Sequence, residues 1–363
     1  MTTPRAARGL ALAGLLAAVS LATAQPPAGQ DAGERATVTF RGPGGKIVTE
    51  GGETKSLPGR VELTSNKKTT TITGPDLLRV EPTTVANLGP ELVAARAQET
   101  GGDTTKALAD YAALAQAAGP NAPPATKRYL AFKEALLTTK LADAKTGEDF
   151  VAGAKKSIDA WDKVAPLSRG SWEIWPTLTT AARLHAELND FGKAASSLAA
   201  LAATPGLPKN LRGEALIGEA AMKLRAKDTA AVAAAIQPLE GDATLPKALK
   251  EKVAVLKAAA AVNFPMSPPA QPPTGEAAAK IQAAIDAATD PAARGLGYTA
   301  LAELQLANGL PREAMWAYLW VDVVYNADHA DHVLAVARLA QIFDVLGDKD
   351  RAEQFREKLT RIR

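Results

Sequence analysis

The sequence predicts an α+β multidomain chain: a small antiparallel β-barrel or sheet over 36–82, followed by an all-α array of about seven helical hairpins over 83–363. Two observations predict it. Up to Pro82, short runs of Val, Ile and Thr alternate with clusters of turn residues, the pattern of short half-buried strands. Beyond Pro82 the composition turns abruptly to Ala, Leu, Lys and Glu, with apolar residues at helical spacing and breaks every 15 to 20 residues.

Taken in order, the first residues, MTTPRAARG, carry Arg5 and Arg8 and no acid, and run into the apolar LALAGLLAAVSLATA. That run is shorter than the roughly 20 residues a membrane span needs, ends in the small-x-small triplet Ala22, Thr23, Ala24, and is followed by the helix-breaking QPPAGQ. It reads as a secretory signal peptide over 1–24, with cleavage near Ala24, a linker over 25–35, and a mature chain in the periplasm or medium that does not span the membrane. The chain has no cysteine, so it holds no disulfide and depends on its core and its backbone hydrogen bonds. Lys and Arg number 42 against 39 Asp and Glu, a formal charge of +3. That balance implies no polyanionic partner, and nothing in the linear order builds the basic face with stacking aromatics that nucleic acid requires.

The strand candidates are ATVTF, KIVTE, RVELTS, TTTIT and LLRVEP, separated by GPGG, GGETKSLPG, NKK and GPD. Five strands in so few residues enclose a thin core, which implies packing against the rest of the chain. The order, with GPD ahead of a last short strand, resembles the small Sm-like barrels that precede helical repeats in some exported bacterial proteins. GPGGK is not a phosphate loop, because the pattern needs a glycine where Phe40 stands and a helix where KIVTE follows. It is a hairpin turn.

The helical half repeats a turn. Gly102-Asp103 with Ala107, Asn189-Asp190 with Ala194, Gly309-Leu310 with Ala314 and Gly347-Asp348 with Ala352 all place alanine five residues after the first turn residue. A tight turn between helices wants a left-handed residue, a helix-starting residue, and a small side chain where the second helix presses on the first. On these residues the chain resembles tetratricopeptide-repeat proteins. The small residue of the first helix falls on Ala95, Ala182, Ala302 and Ala340, and the large residue of the second on Tyr111, Leu198 and Tyr318. Late in the first helix, where the family has an aromatic, stand Gln98, His185, Gln305 and Phe343, and Arg356 takes the place of the last large residue. The pairs around 125–164 and 208–239 are degenerate. NFPMSPPAQPPTG, at 263–275, splits one pair with a proline-rich segment that cannot continue a helix; it reads as an extended connector, with a docking segment or lid as the other reading.

Candidate chemistry is sparse. NADHADH, at 326–332, holds two of the three histidines. His329 and His332, three apart, could join Asp328 as zinc ligands; the simpler reading makes Asp328 a helix cap and Asp331 an acid in the first turn. His185 reads as a half-buried packing residue. Glu148 with Asp149, and Asp348 with Asp350, lie at helix starts and have the same capping reading. No GxSxG elbow, cysteine nucleophile or HExxH accompanies them. The expectation is therefore no catalytic residue and no cofactor. Two aromatic pairs, Trp172 with Trp175 and Trp316 with Trp320, are each either buried or an exposed patch of the kind found at interfaces.

The resemblance implies an exported, non-catalytic scaffold binding a peptide or protein in a concave groove lined by the first helices. It places Arg96, Arg183, Glu187, Arg338, Gln341 and Asp344 along that groove. Two other readings stand beside it: a carbohydrate or cell-wall binder using the exposed tryptophans, and a zinc-dependent hydrolase using His329 and His332.

Overall fold

The computed structural model describes residues 34–363 apart from 84, 86, 87, 263, 266, 267 and 270–274. The signal peptide and most of the linker expected before the sheet lie outside the described residues. The strands are β1 (Glu34–Arg41), β2 (Ile47–Leu57), β3 (Arg60–Ser65), β4 (Lys68–Thr73) and β5 (Leu77–Pro82). They form one antiparallel sheet in the order β4-β3-β2-β1-β5, so β4 and β5 are its edges. The turns follow from their residues. Pro43–Gly45 is a short 3-10 turn with Gly44 and Gly45 at positive φ, and Asn66-Lys67 makes the two-residue hairpin turn with both φ positive.

One strand differs from its expected extent. GGETKSLPG reads as a separator, yet β2 continues through it to Leu57 and only Pro58-Gly59 turns. Glycine allows this. A Cβ at Gly52 would lie 2.4 Å from the Thr64 carbonyl oxygen, so β3 approaches β2 where a side chain would hold it off. The buried residues of the sheet, including Val38, Val61, Leu63 and Ile72, form a cluster completed by Trp172 from the helical region.

Fourteen α-helices follow among the described residues, connected as seven pairs: α1 (Pro90–Gly101) with α2 (Thr104–Ala118), α3 (Pro124–Asp143) with α4 (Gly147–Ser168), α5 (Ile174–Glu187) with α6 (Phe191–Ala202), α7 (Lys209–Arg225) with α8 (Thr229–Ile236), α9 (Lys247–Ala260) with α10 (Glu276–Ala287), α11 (Pro291–Ala307) with α12 (Pro311–Val323), and α13 (His329–Val345) with α14 (Lys349–Ile362). The fold class is thus the expected one: a small antiparallel sheet and then a helical repeat region.

The repeated turn has the geometry its residues demand. Gly102, Asn189, Gly309 and Gly347 all have positive φ. In each turn the next residue's N–H reaches back to the first helix, as Asp103 N–H to Gln98 O and Asp348 N–H to Phe343 O. Asp103, Asp190 and Asp348 cap the second helices, and Ala107, Ala194, Ala314 and Ala352 are fully buried where the helices meet. A fifth copy was not legible: Lys227 takes the left-handed position at φ 63°, Asp228 caps α8, and buried Val232 stands where the others have alanine.

Three of the apolar clusters link α1 to α13, and a further one joins α11 to α14. One spans α1 to α3 and a second α3 to α5. The largest runs from Ala182 on α5 through α7, α9, α10 and α11 to Leu334 on α13. The array therefore curls until α13 meets α5, and alanine-rich faces such as Ala182 and Ala186 let the helices approach closely enough to fill the inner side. The α9–α10 pair is the one divided by the proline-rich segment. Within that segment Phe264 is buried, Pro265 O accepts from Lys227 Nζ, and Pro268 packs on Gly309; the remainder falls largely outside the described residues.

Candidate functional site

The residues expected to line an open groove are engaged by the chain itself. Arg183 on α5 donates to Asp143 at 2.9 Å and to Glu187 at 2.6 Å. Burial opposes its charge, but Glu187 and Asp143 outweigh burial and raise its pKa. Glu187, with 1% of its side chain exposed, also accepts from Arg363 Nε at 2.7 Å, across 176 residues of sequence. Arg363 in turn lies over the Phe150 ring, 3.5 Å from its centroid, and donates to Lys145 O. Arg338 on α13 reaches Asn189 Oδ1 at 3.0 Å, Gln341 at 2.9 Å and Glu303 at 3.3 Å, and lies over Phe191. Asp344 pairs with Arg356. Arg96, near the sheet, pairs with Glu81 and donates to the Tyr129 hydroxyl. Between Ala186, Glu187, Asn189, Arg225, Leu334 and Arg338 only about 10 Å³ of space is left. Around Arg183, Glu187 and Arg338 the inner side is narrow, because α13, which carries Arg338, comes against α5 there; Arg96 lies apart from this place, and Gln341 and Asp344 are exposed on α13.

Partners that the sequence did not single out, Lys252 and Arg225, hold the start of α13. Asp328, Asp331, Leu334 and Arg338 are three, three and four residues apart, one stripe of a helix. Lys252 on α9 donates to Asp328 at 3.1 Å, and Arg225 on α7 donates to Asp331 at 3.3 Å. Burial and the neighbouring Asp328 push the Asp331 carboxyl up to about 6, against the pull of Arg225 and Lys252. For Asp328, burial is outweighed by Lys252, and its pKa is lowered. These partners lie far apart in sequence and share no local pattern, so no signal in the linear order could have found them.

NADHADH begins a helix. Asp328 Oδ1 accepts from the N–H groups of Ala330 and Asp331, the capping geometry expected of it. His332 Nε2 lies 2.8 Å from Asp322 Oδ1, and Lys358 holds the same carboxylate. His329 stands apart, its pKa lowered by burial and by Arg183. Among the described residues no group of three or more His, Cys, Asp or Glu could hold a metal ion, so Asp328, His329 and His332 do not converge as the zinc alternative requires. His185, half-buried beside Asp190, has its pKa lowered by burial.

The two tryptophan pairs part company. Trp172 is 6% exposed, stacks edge-on against Phe132 and receives the sheet: its N–H donates to Ser56 Oγ. Trp175 packs against Gly74. Both belong to the joint between sheet and helices. Trp316 and Trp320, one turn apart on α12, are 63% and 47% exposed, and Val323 and Val324 extend the apolar stripe. Trp320 stacks on Tyr298, which stacks on Tyr325 at 5.3 Å, and Arg294 lies over Tyr325.

At the other end, a charged cluster locks β5 to α1–α3. Lys133 Nζ, almost wholly buried, donates to Glu81 at 3.1 Å and to Glu99 at 3.0 Å. The Tyr129 hydroxyl donates to Glu81 and the Tyr111 hydroxyl to Glu99. Burial raises both phenol pKa values, with the neighbouring carboxylates adding to the effect.

No family model matches the sequence, and no curated protein matches it. Among solved structures, a tetratricopeptide repeat protein from Parabacteroides merdae ATCC 43184 is similar at 13% identity and a TM-score of 0.40, over 76% of this chain and 93% of that one. No helix among the described residues is long and apolar enough to cross a membrane. The chain is a small five-stranded antiparallel sheet joined to a helical repeat region.

Proposed function

We propose that the protein is an exported, non-catalytic scaffold that binds another protein, and that one docking face is the outer side of α12. Export rests on the leader-like 1–24. The docking face rests on one observation: Trp316, Trp320, Val323 and Val324 stand in water on one helix while the groove candidates Arg183, Glu187 and Arg338 are bound internally. A contiguous apolar stripe with large aromatics is what interfaces use, since aromatics bring wide contact area with few rotors. The test is the double variant Trp316→Ala/Trp320→Ala. It stays folded, losing about 1–2 kcal/mol with the stack of Trp320 on Tyr298, and no longer retains the envelope protein that the wild-type chain retains in a saturable manner. Retention unchanged by the double variant rejects this face.

A second reading is favoured by the near-parallel rings of Tyr298, Trp320 and Tyr325, at 15–17° to one another in the two stacked pairs. Such a platform, with Trp316 beside it, suits a sugar ring. Tryptophan emission followed across a glycan panel separates the two: a saturable shift lost in Trp316→Ala/Trp320→Ala favours saccharide, and unchanged emission removes that reading.

A further inference from the structure

The contacts that close the curl are unlike those that build it. Within the array, neighbouring helices meet through alanine and leucine, and α13 and α14 share an apolar cluster with α11 and α12 that includes Ala302, Tyr318, Leu339 and Phe343. Where α13 and α14 meet α4, α5, α7 and α9, the apolar contribution of α13 to the large cluster is Leu334 alone. The rest of the seam is polar: Asp328 to Lys252, Asp331 to Arg225, Arg338 to Asn189, and Arg363 to Glu187 and Lys145 O. Ionic contacts weaken with salt and demand matched partners, while apolar ones do neither.

From this seam we infer that α13 is an internal occupant of a helix-binding surface on α5, flanked by Arg225 of α7 and Lys252 of α9, and that this surface takes a partner helix carrying the charge sequence of α13. The complementarity defines the partner. The groove presents Lys252, then Arg225, then the small apolar face of Ala182 and Ala186, then Asn189 and Phe191. A fitting helix has two acids three residues apart, an apolar residue three further on and an arginine four beyond that, all on one stripe. Arg363 is the latch: with its side chain 4% exposed between Glu187 and Phe150, it ties the end of α14 to α4 and α5. Release of Arg363 frees the α13–α14 pair while its own cluster with α11 and α12 stays intact. This inference does not depend on the α12 docking face and concerns a separate surface.

The chain has no cysteine, so a single one reports on the seam. Ala186→Cys places it on the inner face, 2% exposed beside the remaining space; Ala95→Cys, fully buried in the separate α1–α3 cluster, is the control. In full-length protein, Arg363→Ala is expected to speed thiol labelling at 186 by at least about tenfold and leave position 95 unchanged, because the latch removes one partner of a buried ion pair. A synthetic peptide of residues 326–346 then slows labelling at 186 in the Arg363→Ala protein saturably, and the same peptide with Asp328→Lys and Asp331→Lys does not. Three results overturn the inference: labelling at 186 unmoved by the variant, equal acceleration at 95 and 186, or no protection by the peptide. Protection that instead follows protein concentration, with dimers appearing, overturns the assignment to a partner helix and gives the groove to a second copy.

Discussion

The Trp175 indole lies against Gly74 so closely that a Cβ on Gly74 would be 2.6 Å from the ring. The contact joins the sheet to the helical region, with Gly59 pressed in the same way against Leu207 and Leu211. Gly74→Ala is expected to cost about 1–3 kcal/mol, the usual penalty for overpacking a filled site, read as a fall in the urea midpoint. A change below about 0.5 kcal/mol would mean the sheet is not seated on α5.

The repeated turns allow a cleaner test of backbone strain. Gly347 has φ 82°, and a methyl group added there would have nothing within 4 Å, so Gly347→Ala meets no neighbour and should lose about 1–2 kcal/mol from the left-handed conformation alone. Lys227 holds the same kind of position at φ 63° with a side chain, and Lys227→Gly should move stability the other way, less what the Lys227 bond to Pro265 O contributes. Chemical denaturation of the two single variants checks the opposite signs.

Lys133 carries the joint between β5 and the first helices. Lys133→Met removes the cation that both Glu81 and Glu99 share and leaves two buried carboxylates facing each other, with Arg79 and Arg96 as their remaining cations. Breaking one side of a buried pair costs about 3–5 kcal/mol, and the loss should shrink in acid as Glu81, whose pKa Lys133 holds down against burial, takes up a proton. Thermal unfolding at pH 7.5 and pH 4 measures both.

Asp331 gives a pH dependence with a defined sign. Its carboxyl titrates at about 6 in the folded chain, above the ordinary 3.8, so the folded state holds the proton more tightly. Its contribution is most favourable below the ordinary value and is lost as pH rises through about 6. His329 and His185 act oppositely: their lowered pKa values mean stability is lost as pH falls through 6.5. The difference between Asp331→Asn and wild type isolates the carboxyl. Asparagine gives Arg225 a neutral partner at every pH, so the Tm difference between variant and wild type should move in the variant's favour as pH rises from 4 to 7.5. A gap independent of pH would assign Asp331 no titration in this range.

The fold was legible where it is local. Alternation marked the strands, and the turn pairs such as Gly347-Asp348 marked helix ends, because left-handed backbone and capping select residues within a few positions. The extra length of β2 was hidden, since Gly51-Gly52 is a turn signal by composition, and only the neighbouring strand shows that it is a close approach. Lys227 concealed the fifth turn for the converse reason. The tryptophan pairs could not be told apart: Trp172 and Trp175 have a sheet over them and Trp316 and Trp320 do not, a difference made by tertiary packing. The groove candidates were placed by repeat geometry, which says which helix face turns inward but not that Arg183 and Glu187 on α5 would meet α13 and Arg363.

Lys252 and Asp328 are 76 residues apart, and their side chains meet at 3.1 Å only if α13 is seated on α9. Zero-length carbodiimide coupling of the intact protein, followed by peptide mass spectrometry, asks that question directly. Closure of the curl predicts an amide between Lys252 and Asp328. Efficient coupling elsewhere with that link missing, and Lys252 and Asp328 each recovered unmodified or joined to other partners, would contradict it.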